Sequence, residues 1–163
     1  EGGFEFVQRL ALNALVAGNR AFFGIAAQAV TAMTNVDLLT TAAPARVGLA
    51  FSLNTGNWFL VSSNGTTVTA TDLGANFPLD TTSLIELVLF ARPHNGTSAD
   101  GFNYRIRRYT TSSADPAFET SGTLTTNVPA ATTLLHPWGG MTNNATAAAA
   151  SYHWVQAALS SDW

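Results

Sequence analysis

Val47-Gly-Leu-Ala-Phe-Ser-Leu53, Trp58-Phe-Leu-Val-Ser62, Thr66-Thr-Val-Thr-Ala-Thr-Asp-Leu73 and Leu84-Ile-Glu-Leu-Val-Leu-Phe-Ala-Arg92 are four β-prone runs parted by turn-forming segments. Asn54-Thr55-Gly56-Asn57 lies between the first two runs and Asn64-Gly65 between the next two. Asn-Gly between β-prone runs signals a tight hairpin, because both central residues of that turn take positive φ. A fifth run, Phe102–Tyr109, closes the series. Consecutive hairpins build antiparallel sheet, so the stretch predicts an all-β chain. Leu84–Phe90 is the most continuously apolar run, which predicts a central strand covered on both faces. Glu86 interrupts it, and the arginines of Tyr104–Tyr109 are its expected cross-strand partners, since buried carboxylates are paired.

Outward from this stretch the pattern persists. Phe4, Phe6, Leu10 and Leu12 fall on one face of a period-two segment with Gln8 as the exception, while Glu5 and Arg9 fall on the other. Ala17-Gly18-Asn19 turns the chain into a strand over Arg20–Ala26, and Ala26–Met33 continues as strand or loop. Asn35 is placed to cap one helical or 3₁₀ turn over Asn35–Leu39. Gly74–Thr82 is a loop, with Pro78 excluding a central strand. Pro93–Gly101 is a long polar loop suited to an exposed tip. Ala117–Leu124 is a further strand, His136–Asn144 reads as a loop rich in special residues, and a last strand runs through Tyr152, His153, Trp154 and Val155. Ten or so short strands at spacings near ten residues match a sandwich or barrel.

The composition narrows the function classes. The 163 residues are enough for one domain with its own core. Only 10% of them are charged, against roughly 25% in ordinary domains. All seven basic residues are arginine, and the net charge is −3. A nucleic-acid partner would need a basic stripe, and none exists. Low charge with abundant Ala and Thr describes either a surface that packs against neighbours or simply a Thr-rich β-protein. No apolar run reaches the ~18–20 residues of a membrane-spanning helix, so no membrane insertion is expected. The chain lacks cysteine, and with it any disulfide or thiolate metal site. Glu1-Gly2-Gly3-Phe4 carries neither an initiator Met nor a signal-peptide pattern, which points to a processed product or an excised module of a longer protein.

Catalytic and metal patterns are absent from the sequence. His94, His136 and His153 stand apart with no zinc-ligand spacing. There is no phosphate-binding glycine loop and no nucleophile elbow. Asp72 and Glu86 are the acids nearest to strand interiors, but neither has an acidic neighbour in its own strand. Asp100 with Asn95 and Thr97 gathers oxygens in one loop, a composition that ordinarily serves as a turn. The expectation is a non-enzymatic protein with no cofactor and no metal. Sugar recognition needs an aromatic face beside planar amides or carboxylates. His94 and Asn95 in one loop, and Trp138 with Asn143 and Asn144 in another, are the candidate ligand-binding residues. Against this, Trp138 would equally cap the core and the two asparagines would equally satisfy turn backbone.

Several segments in order carry a resemblance: Arg20-Ala21-Phe22-Phe23-Gly24, Asn35-Val36-Asp37, Val47–Phe51, Gly56-Asn57-Trp58, Asp72-Leu73-Gly74 with Phe77-Pro78, Glu86-Leu87, Tyr104-Arg105-Ile106 and Asn143–Thr146. Together they span nearly the whole chain, which resembles the concanavalin-A-like jelly-roll domains of tailed-bacteriophage virion proteins. The resemblance implies an antiparallel β-sandwich of jelly-roll type over residues 1–163, with at most one or two short helical turns. It implies a virion location after assembly in the host bacterial cytoplasm, other virion proteins as partners, and a homo-oligomer, a trimer foremost. Two functions follow as expectations. One is a tail-fibre-type module binding a host surface carbohydrate or protein; the other is a capsid decoration protein stabilising the particle by oligomeric contacts. No ligand motif of the family is present to be carried over onto these residues.

Overall fold

A computed structural model describes residues 3–27, 37–52, 55–93, 101–110, 113–144 and 148–161. Ten strands are formed: β1 (Phe4–Ala14), β2 (Arg20–Ala26), β3 (Arg46–Ser52), β4 (Phe59–Ser63), β5 (Val68–Asp72), β6 (Ser83–Ala91), β7 (Phe102–Thr110), β8 (Phe118–Leu124), β9 (His136–Thr142) and β10 (Ser151–Ser161). They make two five-stranded antiparallel sheets, a first in the order β10-β1-β6-β7-β8 and a second in the order β5-β4-β3-β2-β9. The fold is an all-β sandwich, and the described residues contain no helix.

The period-two pattern builds the core. Phe6, Leu10 and Leu12 of β1 face Phe23, Ile25, Leu49 and Phe51 of the second sheet in one buried cluster. Trp58 is fully buried there, edge-on to Phe51 with ring centroids 5.1 Å apart. Its backbone is held on both sides, donating to Phe77 O at 2.9 Å and accepting from Leu73 N at 3.0 Å. Gln8 keeps the inward position that its place in β1 dictates. It is completely buried, and its amide nitrogen and oxygen have no hydrogen-bond partner among the described residues. The last strand lies beside the first: β10 pairs with β1 from Phe4↔Ser161 to Ala14↔Ser151.

A second apolar cluster sits on the outer face of the second sheet. Phe22, Ala50 and Val61 are buried there beneath Leu38 and Leu39. Arg46 locks this covering segment in place. Its Nη1 donates to Ala42 O at 2.9 Å and Pro44 O at 2.8 Å, and its Nη2 to Leu38 O at 2.7 Å and to Thr41 O. The guanidinium also lies 5.9 Å from the centre of the Phe22 ring. Across the same face Gly24 pairs with Gly48, and a Cβ on Gly48 would sit 2.3 Å from Phe23 O. Two side chains have no room at that crossing.

Three expectations are corrected, and a fourth, the cap at Asn35, falls outside the described residues. The Asn64-Gly65 turn is not a two-residue hairpin with both residues at positive φ; only Gly65 is (φ 94°), and the loop spans residues 64–67. Asn64 Oδ1 accepts from Thr66 N and Thr67 N, which holds Asn64 outside the left-handed region. The turn before β3 is capped by Asp37, whose Oδ1 accepts from Leu39 N at 3.0 Å; Asn35 lies outside the described residues. His136–Thr142 is a strand rather than a loop, because β9 is an edge where Pro137 gives up no needed ladder bond. Finally, β6 is central but covered on one face only. Its outward Leu84 and Val88 are half-buried, and Phe90 is 39% exposed.

Candidate functional site

The residues expected to bind ligand do not converge. His94 and Asn95 lie outside the described residues, as do Thr97 and Asp100. Trp138 belongs to β9 and packs against Phe22 of β2, with ring centroids 5.8 Å apart, on the outer face of the second sheet. Asn143 Nδ2 donates to Ala148 O at 2.7 Å. Asn144 takes positive φ (50°), its N–H donates to Thr142 Oγ1 at 3.1 Å, and its Oδ1 accepts from Arg20 Nη1 at 3.5 Å. The two asparagines thus order the turn after β9, and Trp138 shields the second apolar cluster.

Asp72 and Glu86 also part company. Asp72 is on β5 of the second sheet, where its Oδ1 accepts from Gly74 N and its Oδ2 from Asn57 Nδ2. Glu86 is on β6 of the first sheet, bound by two arginines. His136 and His153 are exposed, and no group of three metal-ligating side chains exists among the described residues.

The chemistry gathers instead on the outer face of the first sheet. The strand registers lay it out in rows. One row runs Gln156, Arg9, Glu86, Arg107, Glu119 from β10 to β8. Arg9 Nε meets Glu86 Oε2 at 2.6 Å, Arg107 Nη1 meets Glu86 Oε1 at 3.4 Å, and Arg107 Nε meets Glu119 Oε2 at 2.5 Å. The hydrogen bond with Glu119 raises the Arg107 guanidinium above its ordinary value. The row is saturated: each charge in it has its partner, and the pairing expected for Glu86 with an arginine of β7 is met by Arg107, while Arg9 of β1 adds a closer partner that was not expected.

The next two rows differ in kind. They run Ala158, Val7, Val88, Arg105, Ser121 and then Ser160, Glu5, Phe90, Asn103, Thr123. Glu5, Val88, Phe90, Asn103, Tyr104 and Arg105 line an open depression of about 230 Å³ here. Glu5 and Arg105 are exposed, and among the described residues neither is in an ion pair. Asn103 Oδ1 accepts from Thr123 Oγ1 at 2.9 Å, an arrangement that steadies the amide. An exposed ring, a half-buried valine, a fixed amide, a carboxylate and a guanidinium therefore share one patch on rigid strands.

Those are the groups a saccharide or an extended peptide uses: an apolar face to lie on and planar polar groups at its rim. The volume is below the ~300–1,000 Å³ of pockets that engulf a small molecule. The shape suits a chain passing across the surface. Sequence reasoning missed this patch because Leu84–Phe90 reads as buried on both faces. The available signal was Glu5 and Arg105 alternating on strands that flank β6.

No family model, curated protein or solved structure matches the chain. Fold and site rest on the physical chemistry of these residues.

Proposed function

We propose that this chain is a non-enzymatic recognition module that binds a surface saccharide along the outer face of its first sheet. The observation that carries the reading is the patch around Phe90, where the central strand leaves apolar side chains open to solvent beside Asn103, Arg105 and Glu5. A large ring left 39% open on a central strand is suited to an incoming partner, since burying that remainder is favourable by about 1 kcal/mol. The virion setting and the tail-fibre-type role come from the sequence resemblance alone. Within that setting the ligand is a carbohydrate of the host surface.

A second reading, a decoration module that stabilises a particle by contacts between copies, is favoured by a separate feature. Strand β10 is exposed along nearly its whole length and, among the described residues, pairs on one side only.

Binding of the labelled chain to a panel of bacterial surface polysaccharides tests the first reading. Selective binding that is lost in Phe90→Ala and Arg105→Ala, with unfolding unchanged, supports it. Selective binding that survives both substitutions but is lost in Trp138→Ala moves the site to the other sheet and overturns it. No binding to any polysaccharide by the folded chain overturns it too.

A further inference from the structure

We propose that β10 is a self-association edge, through which two copies of this chain pair antiparallel about a two-fold axis and join their first sheets into one. The inference is independent of the saccharide reading, because it uses a different surface and a different partner.

An exposed sheet edge offers a row of unpaired N–H and C=O groups, and proteins blunt such edges with charge, proline or short strands. The other edges carry such devices. β8 holds Glu119, β9 holds Pro137, and β5 is only five residues long and ends in Asp72. β10 is eleven residues long and contains no Asp, Glu, Lys, Arg or Pro. A register shift opposite Arg9/Leu10 makes Val155 an extra residue, leaving Gln156–Ser161 as an unbroken run of regular edge.

The side chains of this edge are also apolar where nothing covers them. Trp154 is 40% exposed, Val155 59% and Leu159 47%. Trp154, Ala157 and Leu159 oppose Leu10, Gln8 and Phe6, so they point toward the second sheet. That sheet stops at β9, where Trp154 reaches Gly139 and Tyr152 packs on Phe23 with centroids 4.8 Å apart. Beyond that contact the first sheet overhangs the second, and its inward apolar groups meet water.

A second copy satisfies both features at once. With the two-fold at Ala158, Gln156 faces Ser160 of the partner subunit on the outer side. Ala157 faces Leu159 of the partner subunit on the inner side, so the two overhangs cover each other. No charged residue on one β10 meets one on the other, whereas each β8 carries Glu119 into any pairing of that edge.

The absence of cysteine makes the test direct. Ala158→Cys places one thiol at the two-fold, and opposed positions in antiparallel strands lie within disulfide reach or nearly so. Under mild oxidation at about 10 µM chain, Ala158→Cys is expected to convert mostly to a disulfide-linked dimer. Ser121→Cys on β8 is expected to stay monomeric on the same gel. Sedimentation of the unmodified chain is expected to give twice the chain mass, and Leu159→Glu to halve it with the β-sheet circular dichroism retained. A monomer or a trimer for the unmodified chain overturns the proposal. So does equal cross-linking at Ser121→Cys and Ala158→Cys, which remains readable even if Leu159→Glu does not fold.

Discussion

Arg9 Nε donates to Glu86 Oε2 at 2.6 Å across the paired strands β1 and β6, and this contact buries a carboxylate on a face that is otherwise open. The Glu86 side chain is 3% exposed, although its neighbours Leu84 and Val88 on the same face are only half-buried. Two arginines roof it. Their own exposure, 41% for Arg9 and 26% for Arg107, lets water share the charge. Glu86→Gln is expected to cost about 2 kcal/mol, less than the ~3–5 kcal/mol for breaking a fully buried pair. Glu119→Gln, at the exposed end of the row, is expected to cost under about 0.5 kcal/mol. Urea midpoints at constant m-value measure both, and equal costs would contradict the gradient of burial.

Arg46 is a buried cation whose hydrogen-bond acceptors among the described residues are all backbone carbonyls. Burial lowers its pKa to about 10, which leaves it protonated at neutral pH. Arg46→Met would leave the carbonyls of Leu38, Thr41 and Pro44 without this donor, while Ala42 O keeps Ser63 Oγ, at an expected cost of about 3 kcal/mol. Because the folded-state value is lowered to about 10, the unfolded chain binds more protons above that pH, up to the ordinary arginine range. The contribution of Arg46 to stability is therefore level from pH 6 to 9 and rises with pH above 10. Denaturant titrations of both proteins at several pH values check the sign. A difference between them that falls above pH 10 would be the wrong one.

Gln8 presents the opposite case, a buried polar group without compensation. An unsatisfied buried group costs about 1–3 kcal/mol, and methionine has nearly the volume of glutamine. Gln8→Met is expected to stabilise the domain by about 1 kcal/mol, raising its thermal midpoint by a few degrees. A drop in the midpoint would mean that the amide has a role in the native state.

Trp138 and Phe90 are both aromatic and partly accessible, yet their substitutions should separate. Trp138 packs on Phe22 over the second sheet, so Trp138→Ala is expected to cost about 2–3 kcal/mol. Phe90, on the open face, should cost under about 1 kcal/mol as alanine while saccharide binding is lost. Thermal unfolding measured alongside binding distinguishes the two roles.

Most of the architecture was legible because it depends on local rules. Period-two alternation placed β1, the turn at Ala17-Gly18-Asn19 placed the start of β2, the β-prone runs placed β3 to β7, and the polar breaks between them set antiparallel pairing. The pairing of Glu86 with an arginine was readable because a carboxylate in an apolar strand needs one. The loop expected at His136–Asn144 was misread for a physical reason. Pro137 and the Gly139-Gly140 pair disfavour a strand by propensity, but at an edge against the rings of Phe22 and Phe23 they fit. Ligand residues sought in loops met the same limit, since Trp138 and Asn144 have partners only the folded neighbours reveal.

The sequence by itself determined that this protein is an antiparallel all-β chain, poor in charge and without a cysteine framework. Alternation, turn chemistry and composition act over a few residues, so they can be read without the fold. Tertiary structure alone decided which face of β6 stays open, that Glu5, Phe90, Asn103 and Arg105 share a patch, and that β10 is an uncovered edge. These depend on where one sheet stops relative to the other, and no period in the chain encodes that.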